Sequence, residues 1–214
     1  MKSSSLPIAR EGLGILSATL AAAVILYLLS PWTALLPALL ALFLLWFFRN
    51  PRRRVTADPS ALLSPADGKV LSVAPVAHDD LLDAQAVRIT IFLSVLNVHI
   101  NRAPCTGTVV RVEYREGKFL PAYKSHASEL NERNAVVIDT AGGRGRVRVN
   151  QITGLLARRI VCDVHPGDPV TQGLRFGMIK LGSCTELIVP PACIVDAAPG
   201  QIVRAGITVL ARWQ

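Results

Sequence analysis

The pattern of apolar and polar positions changes character at residue 49. From Gly12 to Phe48 run 37 consecutive residues without a charge, and a single helix of that length would rise about 55 Å against a hydrocarbon core of about 30 Å. Ser30, Pro31 and Trp32 interrupt the run near its middle. The pattern therefore predicts two helices, at 12–29 and 32–48, each just long enough to cross a bilayer and folded as a transmembrane hairpin over residues 1–48. Beyond it, short β-branched stretches alternate with Gly, Pro and Asp, which predicts strands at 70–76, 86–95, 107–114, 135–140 and 145–153. Further strands are predicted at 159–164, 178–181, 185–189 and 207–211, and only 127–134 reads as helical. Residues 49–214 are expected to form a mainly β domain of barrel or sandwich type, without a fixed-period repeat.

Composition alone would mislead. A hydrophobic fraction of 51% and mean hydropathy of +0.40 fit a many-pass membrane protein, but the apolar residues crowd toward the N-terminus. The 23 Lys and Arg against 15 Asp and Glu leave a net charge of +8, compatible with nucleic acid, an anionic membrane surface or an acidic substrate. Aromatic content of 6%, with no basic and aromatic interleaving, argues against nucleic acid. Cys105, Cys162, Cys184 and Cys193 form no CxxC pair and only four His are present, so neither zinc nor any other metal is expected. The cysteines read as reduced, buried thiols of a cytoplasmic domain. Lys2 and Arg10 before the hairpin, with Arg49, Arg52, Arg53 and Arg54 after it, place both ends on the cytoplasmic side of the cell membrane. The arginine cluster is at least a topology signal, and a grip on anionic headgroups is its second reading.

Candidate chemistry sits in residues 177–190, GMIKLGSCTELIVP, where a Gly-Ser pair separates two apolar strand-forming runs. If the fold strains the peptide between Gly182 and Ser183 and a neighbour activates the hydroxyl, Ser183 can attack the Gly182 carbonyl to give an ester. Elimination would then release the upstream chain as a carboxylate and leave dehydroalanine, and loss of ammonia would leave a pyruvoyl group at residue 183. Glycine upstream suits the step because it admits strained geometry and does not shield the carbonyl.

The LGS segment, FFRNPRR at 47–53, SPADGKV at 64–70, FLSVLNVHINRAP at 92–104 and NERN at 131–134 together resemble the short bacterial and archaeal phosphatidylserine decarboxylases. The motifs occur in the expected order and cover essentially the whole soluble domain. The resemblance implies self-cleavage into residues 1–182 and 183–214, which stay together as a heterodimer of fragments, with further oligomerisation left open. It also implies a covalent pyruvoyl cofactor made from Ser183, whose ketone forms a Schiff base with the amine of phosphatidylserine in the membrane and yields phosphatidylethanolamine and CO2. Asp67 and His99 are the implied partners of Ser183 in self-cleavage, the imidazole taking the hydroxyl proton and the carboxylate holding its orientation and charge. An Asx turn before Gly68 and a structural histidine are the bland readings of the same two residues. Two departures stand out. Arg102 occupies the place of a second family histidine, which leaves the role of His99 open, and Cys184 follows Ser183 where Thr is frequent. His78, His126 and His165 receive no role. The rival reading is a membrane-tethered carrier or adaptor, because SPADGKVLSV and VHPGDPVTQGLRFGMI resemble the paired strands of biotinyl and lipoyl domains.

Overall fold

The computed structural model of the chain describes residues 6–121, 130–155, 159–180 and 183–214. It divides into two compact units, residues 2–52 and 53–214.

In the first unit a short turn of 3-10 helix leads into α1 (Leu13–Leu29), and α2 (Leu35–Phe47) follows. Both helices are apolar on every side, and most of their large side chains are exposed, among them Val24, Ile25, Leu28, Leu36 and Leu42. The interruption read at 30–32 extends to residue 34. There Thr33 Oγ1 donates to the carbonyls of Leu26 and Ser30 at 2.7 and 2.8 Å, satisfying groups that the end of α1 leaves open. The outer ends of the helices meet: the Ala9 amide donates to the Phe48 carbonyl at 2.7 Å and that of Asn50 to Pro7 at 2.6 Å. The stretch Arg10–Leu29 is long and apolar enough to cross a bilayer. With 13 residues, α2 is shorter than the second half predicted from the sequence, and rises only about 20 Å.

The second unit is mainly β, as the pattern predicts, and the ladders between its described strands are antiparallel. Its large sheet contains β2 (Gly68–Asp79), β3 (Ala84–Leu93), β5 (Gly107–Arg115), β6 (Arg133–Thr140), β7 (Arg146–Thr153), β9 (Pro169–Val170), β11 (Ser183–Val189) and β13 (Ile202–Val203), in the order β13-β2-β3-β11-β7-β6-β5-β9. Two three-stranded sheets accompany it: β4 (Ile100–Arg102), β10 (Arg175–Lys180) and β8 (Arg159–Cys162) in the order β4-β10-β8, and β1 (Ala61–Leu63), β14 (Val209–Trp213) and β12 (Cys193–Val195) in the order β1-β14-β12. Val70, Ile89, Ile91, Val136, Val149 and Leu187 belong to one continuous core. The central strand β11 is buried along its whole length.

Residues 133 and 134, expected in a helix, open β6 instead, while 127–129 lie outside the described residues. Pairing of Arg133 with Ile152 and Asn134 with Gln151 on β7 overrides the local preference. The four cysteines are free thiols.

Candidate active site

The chain passes from the small sheet to the large one between Lys180, the last residue of β10, and Ser183, the first of β11. Leu181 and Gly182 lie between them and outside the described residues. Ser183 pairs with Leu93 of β3 on one side and Thr153 of β7 on the other. Its side chain is fully buried, and Oγ has no hydrogen-bond partner among the described residues. A buried hydroxyl left this way costs about 1–3 kcal/mol, and such groups in folded proteins call for an explanation.

The segment 92–104 runs along both sides of this crossing. Phe92 and Leu93 pair with Cys184 and Ser183. The chain then turns, the Asn97 amide donating to the Ser94 carbonyl at 3.0 Å and Asn97 Oδ1 accepting from the amide and hydroxyl of Ser94 at 2.9 Å each. Beyond the turn, His99 accepts the Ile179 amide on its carbonyl at 3.1 Å, and Ile100 pairs with Met178. One motif therefore lines the strand before the Gly182–Ser183 bond and the strand after it. The His99 ring is buried, with Nδ1 3.0 Å from the Asn97 carbonyl oxygen. That oxygen can only accept, so Nδ1 is the nitrogen that donates to it.

Asp67, at the mouth of β2, is buried and accepts two short bonds, from Arg53 Nη2 at 2.7 Å and from the Ala205 amide at 2.7 Å. Gly68 follows it because β2 passes so close to β3 that a Cβ there would run into the Phe92 carbonyl oxygen. Among the described residues, then, Asp67 is held by Arg53 and a backbone amide, while the Asn97 carbonyl orients His99. Arg102 is buried and donates from Nη1 to the Gly173 carbonyl at 3.0 Å. Burial lowers the pKa of its guanidinium and Arg53 adds repulsion, while Asp67 pulls the other way. A small basic cluster thus surrounds one carboxylate. Arg53 reads from the sequence as part of a membrane-flanking charge cluster, and only its contact with Asp67 draws it to the site.

A chain of buried amides fastens these pieces together. Asn101 donates to Thr185 Oγ1 at 3.2 Å, Gln151 donates to Asn101 Oδ1 at 3.0 Å and to the Val161 carbonyl at 3.1 Å, and Asn134 donates to Gln151 Oε1 at 3.0 Å. Asn131 donates to the Thr153 carbonyl beside Ser183 at 2.7 Å and closes a two-way bond with the backbone of Leu120. Asn101, Asn131 and Asn134 lie inside the motifs read from the sequence, whereas Gln151 lies in none of them and carries no local signal.

Cys184 is buried with Ile152 and Phe92, its thiol pointing at the Ile91 carbonyl 3.2 Å away, and burial pushes its pKa up. It is a packed spacer on the face of β11 opposite Ser183. His78 and His165 are exposed beside Asp80 and Asp168 respectively, and His126 lies outside the described residues.

A sequence profile of the family described as phosphatidylserine decarboxylase matches residues 40–211. A phosphatidylserine decarboxylase proenzyme of Carboxydothermus hydrogenoformans is 52% identical over 204 residues, covering 95% of each chain. One of Rhodopirellula baltica is 46% identical over 217 residues, covering 98% of this chain and 90% of its own. A third, from Syntrophus aciditrophicus, is 42% identical over 203 residues, covering 93% and 94%.

Proposed function

Because the chain belongs to the phosphatidylserine decarboxylase family, we propose that it is a membrane-held proenzyme whose Ser183 becomes the pyruvoyl group that decarboxylates phosphatidylserine to phosphatidylethanolamine. The observation that carries the reading is the buried Ser183 hydroxyl, without a partner among the described residues, at the point where two sheets exchange the chain. A hydroxyl awaiting consumption fits such a place better than a structural one, which would be hydrogen-bonded.

In self-cleavage Ser183 Oγ attacks the Gly182 carbonyl carbon, the peptide nitrogen leaves as an amine, and an ester takes its place. Elimination breaks the bond from Cβ to oxygen and releases Gly182 as a carboxylate. Tautomerisation and hydrolysis of the remaining dehydroalanine expel ammonia. His99 takes the hydroxyl proton through Nε2, with Nδ1 held by Asn97. Asp67, gripped by Arg53 and the Ala205 amide, supplies the fixed negative charge of the site. A pyruvoyl ketone at residue 183 would supply the electron sink when CO2 leaves the carbon that bears the substrate amine. Arg102, in the basic cluster around Asp67, is proposed to attract the carboxylate or phosphate of the headgroup.

The apolar helices hold the enzyme on the cell membrane, and the arginines at 49 and 52–54 keep the catalytic unit on the cytoplasmic side. Residues 1–182 and 183–214 form the working pair of fragments. A carrier module is disfavoured by relatives that are named as proenzymes and by Lys180, which pairs with Arg159 within a ladder instead of standing at a hairpin tip. Intact mass and a denaturing gel test the proposal. Wild type is expected to give a fragment ending at Gly182 and a blocked fragment beginning at the former Ser183, while Ser183→Ala stays full length and inactive toward phosphatidylserine. An uncleaved chain in active material would refute it.

A further inference from the structure

Ser183 marks one end of the large sheet, and the loops at that end differ in kind from those at the other. Strand register places Lys69, Leu93, Thr153, Arg133 and Arg115 alongside it. Of the connections leaving this end, the β3–β4 turn carries Leu96 at 67% exposure, the segment after β7 carries Leu155 at 62%, and the β5–β6 connection carries Phe119 at 41% and Leu130 at 45%. The opposite end is different. There the β6–β7 hairpin reads Ala141, Gly142, Gly143, Arg144, Gly145, and the β2–β3 turn half-buries Leu81 and Leu82 between Asp80 and Asp83. Single exposed apolar side chains need no explanation, but four on three separate loops at the end of the sheet that holds one buried hydroxyl have the character of an interaction surface. Charge points the same way: among the described residues at this end, Lys69, Lys118 and Arg159 are exposed, against Glu116.

We infer that this rim is a bilayer-docking surface, in which Leu96, Phe119, Leu130 and Leu155 enter the boundary between headgroups and acyl chains while the cations engage anionic lipid. Apolar side chains ringed by Lys and Arg are the composition that binds an anionic membrane interface, the apolar groups by burial and the cations by attraction to the surface potential. The inference rests on the phosphatidylserine reading and adds to it a route: docking brings the Ser183 end of the sheet to the headgroup level, so a substrate can present its amine without its acyl chains leaving the bilayer.

The test uses the full chain reconstituted in vesicles of phosphatidylcholine and phosphatidylserine whose acyl chains carry bromine. Leu96→Trp and Leu155→Trp should each add tryptophan fluorescence that these lipids quench, whereas Leu81→Trp, at the opposite end, should add fluorescence that they do not. Equal quenching at all three positions, or none at 96 and 155, would overturn the proposal. In a second measurement, the double variant Leu96→Asp/Leu155→Asp should raise the surface fraction of phosphatidylserine needed for half-maximal rate by about tenfold, and an unchanged requirement would count against docking. Should the double variant fail to fold, the tryptophan variants still decide. A rim that instead joined two copies of the chain would show no added quenching, together with a loss of self-association in the aspartate variant. Failure of wild-type cleavage at Ser183 would remove the decarboxylase reading and leave the quenching result standing by itself.

Discussion

At the scale of single residues the molecule spends stability at the candidate site. Ser183 gives up a hydrogen bond in a fully buried setting, and Asp67 is buried at the cost of enlisting Arg53 to neutralise it. The cysteines illustrate the opposite case, groups kept inert by burial. Burial, with Cys193 adding to it, pushes the Cys105 thiol up to about 12 from an ordinary 9.0, and burial shifts Cys184 the same way. Between those two values the folded protein keeps a proton that the unfolded chain has lost, so stability is full below about pH 9 and falls as pH rises toward 12. The urea midpoint should therefore drop between about pH 8 and about pH 10, and iodoacetamide should modify Cys105 and Cys184 only after unfolding. A midpoint that rose with pH would contradict this account.

Among elements, the decisive feature is how strands from different sheets are fastened around the bond proposed to be cleaved. If the Gly182–Ser183 link is cut as proposed, β11 would keep its ladders with β3 and β7, and the side-chain bond from Asn101 to Thr185 would still tie it to β4 of the small sheet. Gln151 stands at the centre of that tie. Gly177 makes room for it, because a Cβ there would collide with the Val161 carbonyl and come within 2.8 Å of Gln151 Nε2. Replacing Gln151 by Met keeps the volume but strands the amides of Asn101 and Asn134, which should cost about 2–4 kcal/mol and slow the appearance of fragments on a denaturing gel. Fragments that form at the wild-type rate would reduce the network to a purely structural role.

For the whole molecule, the position of the proposed cut decides what its product would be. Residues 183–214 supply β11 at the middle of the large sheet, β13 at its edge, and β12 and β14 of a smaller sheet. Such a fragment cannot leave without exposing Leu187, Val189, Leu210 and Ala211 of the core, so cleavage should not release it. The two fragments are expected to co-elute on size exclusion in mild detergent and to separate only in denaturant. Early elution of the small fragment under native conditions would mean that the sheet opens after processing.

Period in the sequence determined that an apolar helical segment precedes a mainly β domain and where most longer strands run, while the motifs, through the family resemblance, singled out Gly182, Ser183, His99 and Asp67 as candidates. Those features are local, since side-chain alternation, charge and short motifs all act within a few positions. What only the tertiary structure decided are the features made by residues far apart in the chain. Short strands such as β4 and β13 exist because a neighbour pairs with them, and residues 133–134 become strand because β7 lies alongside. Arg53 turns from a membrane-flanking charge into the counterion of Asp67, and Gln151 gains its place by joining β7 to β4 and β6. Ser183 itself passed from a common dipeptide to a buried hydroxyl without a partner among the described residues, a property set by surroundings that no stretch of sequence contains.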